Sequence, residues 1–410
     1  MNALRLAVAS LVLALAAPPL AADPAEHAVT IHARVPVGTG TVYIAGNIPA
    51  LGPWDAGRFA MQGTGQERTA VLRVPHGTTF EFKFTLGAWA REAVGPSGTV
   101  MPNNRLLVDA DKEAAYEVVD FKKDPRYYIE TWKDSGVLGR LEYWTDVKSK
   151  YLAYTRHVAI WLPPGYDEDK DHRYPVLYMH DGQNLFDPRM ANTGVDWGID
   201  EAVVRGVKAG RIPPVIVVAA FSTDGRAREY SPWDGAPDYA RFLVEELMPR
   251  VNGKFRTLTG PANTAAMGSS MGGLLSFYLC WKRPDVFGLC GCISTHFPYN
   301  QLVMEEFAPG SSKQRALPPG PEDWPLIGRE IANGAKMPKG VRLYFDYGTE
   351  GLDAMYEPMQ KRVDQWLVGQ GFREGTDFVS RKVQGATHNE AAWRARMDDP
   401  LAFLFGKRAP

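Results

Sequence analysis

The chain changes its pattern of apolar and polar positions near residue 129. Before that point, short segments alternate apolar and polar residues with a period of two, as in AVTIHARV, GTVYIAG, TAVLRVP, TFEFKFTLG, RLLVDA and AYEVVDF. Turn residues such as Gly38, Pro49 and Gly63 separate these segments. Short alternating segments at this spacing predict half-buried strands, so we expect residues 23–121 to form a small all-β sandwich domain.

Residues 129–410 follow a different pattern. Two alternating segments, GRLEYWTDV and TRHVAIWLP, precede strongly apolar runs such as PVLYMH, PVIVVAAF, TAAMG, GLCGCIS and VRLYFDYG. Helical stretches lie between these runs, among them YARFLVEELMPRV, MGGLLSFYLCWKRP and MYEPMQKRVDQWLVGQG. This alternation predicts an α/β domain with a mainly parallel sheet and helices on both faces. The charged segment KKDPRYY, residues 122–128, contains Pro125 and is predicted to be the linker.

Residues 1–22 have the pattern of an export signal. Arg5 precedes an apolar run from Leu6 to Ala17, and small residues then continue to Ala22. The run is shorter than the ~20 residues that a membrane-spanning helix needs. We therefore expect cleavage after Ala22, a periplasmic or secreted mature chain, and no membrane span after cleavage.

Composition excludes several classes of function. The 410 residues favour more than one domain, and 46 basic against 47 acidic residues give a formal net charge of −1. Without a basic run, nucleic acid is not an expected partner. No C-x-x-C, H-E-x-x-H or P-loop spacing occurs, so we expect neither a metal site nor a cofactor. Three cysteines, Cys280, Cys290 and Cys292, lie in apolar surroundings and are predicted to be buried structural thiols.

A candidate nucleophile lies in the second domain. The segment Gly268–Gly272 spells G-x-S-x-G, with an apolar strand before it and an apolar helix after it. That context is typical of a nucleophile elbow, in which small neighbours permit a sharp turn that exposes the serine hydroxyl. Only Ser270 fits the pattern, because the residues two positions from Ser269 are Met267 and Met271. A glycine- and serine-rich loop is the alternative interpretation.

A serine nucleophile needs a base and an acid, which in this fold follow it in the order acid, then histidine. Two histidines follow Ser270, and His388 lies after a strand and before a helix near the C-terminus, where the base is expected. His296 follows its strand too closely and is predicted to line the pocket. Asp353 is the preferred acid and Glu350 the alternative, since both lie in the loop after VRLYFDYG. Asp353 could instead cap the next helix.

An oxyanion-binding loop is predicted after the strand PVLYMH. The sequence His180–Asn184 reads HDGQN, and Gly182 permits a close approach of the backbone. The Gln183 N–H is expected to pair with the N–H of Met271 to bind a developing oxyanion. An ordinary β-turn is the alternative interpretation of this segment.

From about Tyr151 to Phe405 the chain resembles the esterase D, feruloyl esterase and enterochelin esterase branch of the α/β hydrolases. The resemblance depends on RHVAIWLPPGYD, YPVLYMHDGQNLFD, REYSP, GSSMGGLLSFYL and GATHNEAAW. It implies an α/β-hydrolase fold, with Ser270 as nucleophile, His388 as base and Gln183 in the oxyanion hole. The acid segment GTEGLD departs from the common GT-x-D/E form, so Asp353 and Glu350 both stay open.

The front domain resembles a starch-binding-type carbohydrate-binding module. VYIAGNIPALGPWD, FEFKFTLGAW and NNR provide the similarity. The resemblance implies that Trp54 and Trp89 stack on sugar rings beside Lys83 and Asn104. Aromatic faces complement the apolar faces of sugars, and polar groups fix the hydroxyls. The alternative is that the two tryptophans only pack this domain.

These features together predict an exported serine ester hydrolase that acts on an acylated carbohydrate or a related ester. An enterochelin-type trilactone esterase is the second hypothesis, in which Arg226 and Arg228 would supply a cationic pocket for a catecholate siderophore. The third is a non-catalytic glycan-binding protein with a decayed hydrolase fold. The intact Ser270, His388 and acid candidates count against that third hypothesis.

Overall fold

A computed structural model of the chain describes residues 25–52, 54–98, 100–131, 136–297 and 326–407. The predicted export signal, residues 1–22, lies outside the described residues. Within these ranges, no helix is both long enough and apolar enough to cross a membrane.

The front domain is built from strands. In chain order they are β1 (Glu26–Arg34), β2 (Tyr43–Gly46), β3 (Glu67–Pro75), β4 (Thr78–Thr85), β5 (Ala93–Val94), β6 (Asn104–Val108), β7 (Lys112–Glu117) and β8 (Asp120–Phe121). One sheet has the order β3-β1-β7 and a second the order β2-β4-β6, while β5 pairs with β8. Strand β1 pairs antiparallel with β3 and parallel with β7.

The period-two pattern explains the packing of this domain. In β3, Ala70, Leu72 and Val74 are buried while Val71 and Arg73 are exposed. Alternate residues of a strand point to opposite faces, so one face of each strand supplies the core. The buried side chains of both sheets form one apolar cluster that includes Ile31 from β1. The predicted all-β front domain is therefore confirmed.

The second domain contains the remaining strands and most of the helices. Its strands are β9 (Arg140–Val147), β10 (Arg156–Leu162), β11 (Val176–Met179), β12 (Ile216–Ala220), β13 (Thr264–Ser269), β14 (Leu289–Ile293), β15 (Arg342–Gly348) and β16 (Phe378–Val383). The α-helices in the described residues are α1 (Pro125–Thr131), α2 (Ile199–Lys208), α3 (Arg226–Glu229), α4 (Ala236–Arg241), α5 (Met248–Lys254), α6 (Met271–Lys282), α7 (Leu326–Ala332), α8 (Glu357–Gly369), α9 (Glu390–Arg394) and α10 (Asp398–Phe405). A π-helical stretch, Phe242–Leu247, joins α4 to α5.

The strands of this domain that the structure describes form a sheet with the order β16-β15-β14-β13-β11-β12-β10-β9. The ladders from β12 to β16 are parallel, and β10 is antiparallel to both of its neighbours. Apolar clusters cover both faces, since Tyr178 belongs to one cluster and the adjacent Leu177 and Met179 belong to the other. The predicted α/β-hydrolase fold is confirmed. The carboxyl ends of its parallel strands meet at one edge of the sheet, where ligands bind in open α/β folds.

The predicted linker, residues 122–128, includes the start of a helix. Lys122 is buried, and helix α1 begins inside the segment and continues past its end. Asp124 explains the helix, because its Oδ1 accepts a hydrogen bond of 2.8 Å from the Arg126 N–H. An aspartate cap followed by proline favours the start of a helix, since proline has a suitable φ and lacks only an N–H that would be unpaired there. Pro125 therefore begins a helix within the predicted linker.

The cysteine prediction was wrong in part. Cys280 on α6 and Cys290 on β14 form a disulfide, and Cys292 is a buried free thiol. Helix α6 packs on β14, which brings the two Cα atoms to 6.3 Å, a normal spacing for a disulfide. The bridge joins a helix to a strand, a contact that the local sequence pattern does not indicate.

Candidate active site

Ser270 occupies a sharp turn between a strand and a helix. β13 ends at Ser269, α6 begins at Met271, and Ser270 has φ 57° and ψ −122°. Glycine is required beside it, because a Cβ added at Gly268 would lie 2.7 Å from the carbonyl carbon of Gly272. A non-glycine residue at positive φ is strained and is common where the fold holds a functional side chain in place. The arrangement presents the Ser270 side chain at the carboxyl edge of the sheet.

Backbone hydrogen bonds fix the turn. The Ser270 N–H donates to the Ile293 carbonyl at 2.9 Å, and the Ser270 carbonyl accepts from the His296 N–H at 3.1 Å. Ile293 is the last residue of β14. The elbow is therefore tied to the neighbouring strand at its carboxyl end.

His388 and Asp353 lie together at the same edge. Asp353 follows β15, His388 follows β16, and the distance from His388 Nδ1 to Asp353 Oδ1 is 2.5 Å. Asp353 is completely buried, whereas Glu350 is exposed and its N–H donates to the Ala386 carbonyl. Of the two acid candidates, the structure places Asp353 beside His388.

The second carboxylate oxygen of Asp353 accepts two hydrogen bonds. Oδ2 accepts hydrogen bonds from the Ser294 hydroxyl at 2.6 Å and from the Gly348 N–H at 2.7 Å. Burial raises the pKa of Asp353, but the hydrogen bonds from His388, Ser294 and Gly348 outweigh it, so the pKa lies below its usual value. Asp353 is thus held as a carboxylate against the imidazole.

A buried ion pair that was not predicted from the sequence lies next to this carboxylate. Arg396 makes two hydrogen bonds of 3.0 Å to Asp346, and its Nη2 also donates to Ser294 Oγ at 2.8 Å. Trp393 Nε1 donates to the same hydroxyl at 3.0 Å. Ser294 directly follows β14, at the carboxyl edge of the sheet. That position in the sequence could have indicated Ser294 as a residue of the site. Nothing in the sequence indicated Arg396, which reaches the site from just before α10.

Tyr356 contacts both Ser270 and His388. Its hydroxyl lies near the Ser270 side chain and 2.7 Å from His296 Nδ1, and its ring centroid is 5.6 Å from that of His388. In the described part of the chain, no direct hydrogen bond joins Ser270 to His388. His296 is buried beside Tyr356, and burial, then the charges of His388 and Arg226, lower its pKa to about 3. It is therefore a neutral neighbour of the site.

The predicted oxyanion loop lies next to the elbow. Asp181 has a left-handed backbone with φ 55°, and a Cβ added at Gly272 would meet its Oδ2 at 3.5 Å. A Cβ added at Gly182 would lie 2.6 Å from the Ala219 carbonyl oxygen, so only glycine fits there. The Gln183 side chain exchanges two hydrogen bonds with Ser222, of 2.7 and 3.1 Å. The loop is thereby fixed to the end of β12.

The two arginines proposed for a cationic pocket are paired with carboxylates. Arg226 donates to both oxygens of Asp181 at 2.7 and 2.8 Å, and Arg228 donates to Asp234 at 3.0 Å. A bidentate pair of this kind is strong and largely neutralises the guanidinium. Arg226 is near the site, but its charge is balanced within the protein.

The carbohydrate-binding candidates lie on the front domain. The rings of Trp54 and Trp89 are 6.0 Å apart and tilted by 49°, and both residues are half-buried. Trp89 Nε1 donates to the Trp54 carbonyl at 3.2 Å. Lys83 Nζ is 2.7 Å from Glu92, and Asn104 begins β6. The two tryptophans form a pair, and Lys83 is committed to a carboxylate of its own domain.

Comparison with known proteins places the chain among esterases. The family model described as "Putative esterase" matches residues 149–404, more than half of the 410-residue chain. "Uncharacterized protein YbbA" of Bacillus subtilis is 23% identical over 278 residues, which are 63% of this chain and 96% of that protein. The "Endo-1,4-beta-xylanase/feruloyl esterase" of Xylanibacter ruminicola is 28% identical over 170 residues, which are 40% of this chain and 22% of that protein.

A solved structure shares the fold along most of the chain. The enterobactin esterase FES from Shigella flexneri superposes with a TM-score of 0.51 at 15% identity, covering 93% of this chain and 96% of that one. At this identity the likeness concerns the fold alone. Because the family model covers more than half of its length, the chain belongs to the Putative esterase family and is a carboxylic ester hydrolase.

Proposed function

We propose that this esterase is an exported serine hydrolase that cleaves an acylated carbohydrate or a related ester through Ser270, His388 and Asp353. The observation that supports the chemistry best is the 2.5 Å contact between His388 Nδ1 and the buried Asp353 carboxylate, at the same sheet edge as the strained Ser270 turn. Nucleophile, acid and base follow one another along the chain in the order expected for this fold.

The proposed reaction has two halves. With Nδ1–H donated to Asp353, His388 Nε2 has a free lone pair and takes the proton as Ser270 Oγ attacks the ester carbonyl carbon. The Ser270 hydroxyl must therefore turn toward Nε2, and catalytic hydrogen bonds of unliganded enzymes often form only with substrate. Collapse of the tetrahedral intermediate breaks the ester C–O bond, and the imidazolium protonates the departing alcohol. Water then attacks the acyl-enzyme by the same route and releases the acid.

The N–H groups of Met271 and Gln183 are the proposed oxyanion donors. Met271 is the first residue of α6, where an N–H has no acceptor inside the helix and the helix dipole is positive. Gln183 belongs to the loop that the ion pair of Asp181 with Arg226 and the contacts with Ser222 hold in place. Two fixed donors of this kind stabilise the charge that develops on the carbonyl oxygen.

Three observations favour a carbohydrate ester over a siderophore. The paired tryptophans of the front domain offer aromatic faces to a sugar, and one relative is named for both a xylanase and a feruloyl esterase. The siderophore hypothesis needs free cationic groups, but Arg226 and Arg228 are each bonded to a carboxylate.

The Cys280–Cys290 disulfide supports export, because disulfides persist mainly in oxidising compartments.

A panel of purified esters tests this function. Acetylated and feruloylated oligosaccharides, simple acetyl and longer-chain esters, and a catecholate trilactone would be compared with wild type, Ser270→Ala and the matched control Ser269→Ala. We expect a carbohydrate ester to give the highest kcat/KM, Ser270→Ala to lose on the order of 10⁵- to 10⁶-fold in kcat, and Ser269→Ala to stay active. Preference for the trilactone would overturn the substrate proposal, and a fully active Ser270→Ala would overturn the mechanism.

A further inference from the structure

Lys122 joins the front domain to the esterase domain through a buried ammonium group. Its side chain is 4% exposed, and Nζ lies 2.8 Å from Glu92 Oε1 at the edge of the front domain. In the esterase domain, the same Nζ donates to the Ala191 carbonyl at 2.9 Å and to the Asn192 carbonyl at 3.4 Å. An ammonium has three donors, so these three acceptors satisfy it completely.

The segment that Lys122 holds, residues 191–193, also contacts the oxyanion loop. The Asn192 N–H donates to Asn184 Oδ1 at 2.8 Å, and farther along the chain the Trp197 N–H donates to the Asn184 carbonyl at 2.8 Å. Asn184 directly follows Gln183, the proposed oxyanion donor. The position of this segment therefore affects where the Gln183 N–H points.

Residues 191–193 contact the histidine loop as well. The Thr193 hydroxyl donates to Glu390 Oε2 at 2.9 Å. Glu390 is buried, begins α9 and lies two residues after His388. The intervening Asn389 caps α9 by accepting a 2.9 Å hydrogen bond from the Ala392 N–H. One short segment thus touches the supports of both the base and the oxyanion donor.

Burying a lysine and a glutamate together has a desolvation cost that their attraction often only balances. The pair is therefore a weak source of net stability, but its directional bonds can fix one arrangement of the two domains. The Asn192 and Thr193 residues themselves are exposed, so little apolar packing holds them. Their order depends on the polar contacts described above.

We propose that Lys122 is a positioning residue through which the front domain orders residues 191–193, and through them the Gln183 and His388 loops. The inference rests on the proposed function, since it assigns Gln183 and His388 their roles there. On this account the front domain is part of the catalytic unit even for substrates that contain no sugar.

The full-length protein tests this with p-nitrophenyl acetate, a small ester without a glycan. We expect Lys122→Met to lower kcat about ten- to hundredfold, as a misplacement of about 1 Å can, and Lys122→Arg to restore part of it. Thr193→Val should lower kcat in the same direction, and the double variant should be little worse than Lys122→Met alone, because both act on one path. Lys123→Met, which removes an exposed pair with Asp120 in the same segment, is the matched control and should keep wild-type kcat.

Amide hydrogen exchange gives a readout that does not depend on activity. Lys122→Met should speed exchange in residues 187–198 and 386–394, while the remaining strands of the sheet keep wild-type protection. A folded Lys122→Met variant with wild-type kcat and wild-type exchange would overturn the proposal. A double variant whose loss of kcat is the full product of the Lys122→Met and Thr193→Val losses would also overturn it. If Lys122→Met does not fold, wild-type kcat in Thr193→Val overturns it. Failure of wild type on every ester would instead overturn the proposed function.

Discussion

The Asp353 carboxylate shows how burial and hydrogen bonding distinguish one residue of the candidate site from its neighbours. Chain order predicted Ser270 and His388, because nucleophile, acid and base follow strands in a fixed sequence in this fold. Order alone left Asp353 and Glu350 open, since both lie in one loop. Burial and hydrogen bonding distinguish them, as Asp353 is enclosed against His388 and Glu350 faces solvent. Supports such as Arg396 could not be predicted, because they approach from distant parts of the chain.

Replacement of the acid is the prediction at this scale. Asp353→Asn should lower kcat by about 10⁴-fold, because an amide cannot hold the imidazole tautomer or balance its charge. Glu350→Gln, the matched control in the same loop, should change kcat little because that side chain is exposed. Steady-state kinetics on the best ester of the panel measure both. A large loss in Glu350→Gln with a small one in Asp353→Asn would assign the acid role to Glu350.

At the scale of elements, the periodicity of apolar residues predicted nearly all strands and the main helices. Each of these elements buries one or both of its faces, and its buried residues therefore recur at regular spacing. Contacts between elements were not predictable in the same way. The disulfide joins a helix to a strand, and the Lys122 contacts join two domains across the predicted linker. Such pairs depend on tertiary packing, which local patterns do not encode.

The disulfide leads to a direct prediction for the thiols. Alkylation of the denatured, unreduced protein should modify one cysteine, Cys292, and alkylation after reduction should modify all three. Intact mass and peptide mapping of protein from the native host envelope would count them. Three reactive thiols before reduction would contradict the disulfide and remove its support for export.

The tryptophan pair gives a second prediction for an element. If Trp54 and Trp89 stack on a sugar, Trp54→Ala and Trp89→Ala in the full chain should each weaken binding to an α-glucan, by about 1–3 kcal/mol for loss of one buried aromatic contact. Sedimentation with the insoluble polymer measures binding, and circular dichroism checks the fold. Unfolding of both variants would favour a packing role for the pair.

At the scale of the whole molecule, buried histidines couple stability to pH. Burial lowers the pKa of His180 to about 4, and His296 to about 3, from an ordinary 6.5. The unfolded chain therefore binds more protons than the folded one below pH 6.5. Stability is full above that pH and should fall by about 1 kcal/mol per pH unit for each histidine as acidity increases.

Guanidinium unfolding between pH 7 and pH 5 measures this slope. His180→Gln should flatten it, whatever its effect at neutral pH, because one titrating group has been removed. His172→Gln, which replaces an exposed histidine, is the control and should keep the wild-type slope. An unchanged slope in His180→Gln would show that its protonation is not coupled to folding.

The identity of the residue acylated during turnover tests the central claim most directly. Wild-type protein would be quenched in acid during hydrolysis of its best ester, or treated with an organophosphonate, and mapped by tandem mass spectrometry. The account predicts a single adduct on the Ser270 peptide, absent in Ser270→Ala and formed far more slowly in His388→Ala, since the base activates the hydroxyl. An adduct on another residue, or ester hydrolysis at the wild-type rate by Ser270→Ala, would contradict it.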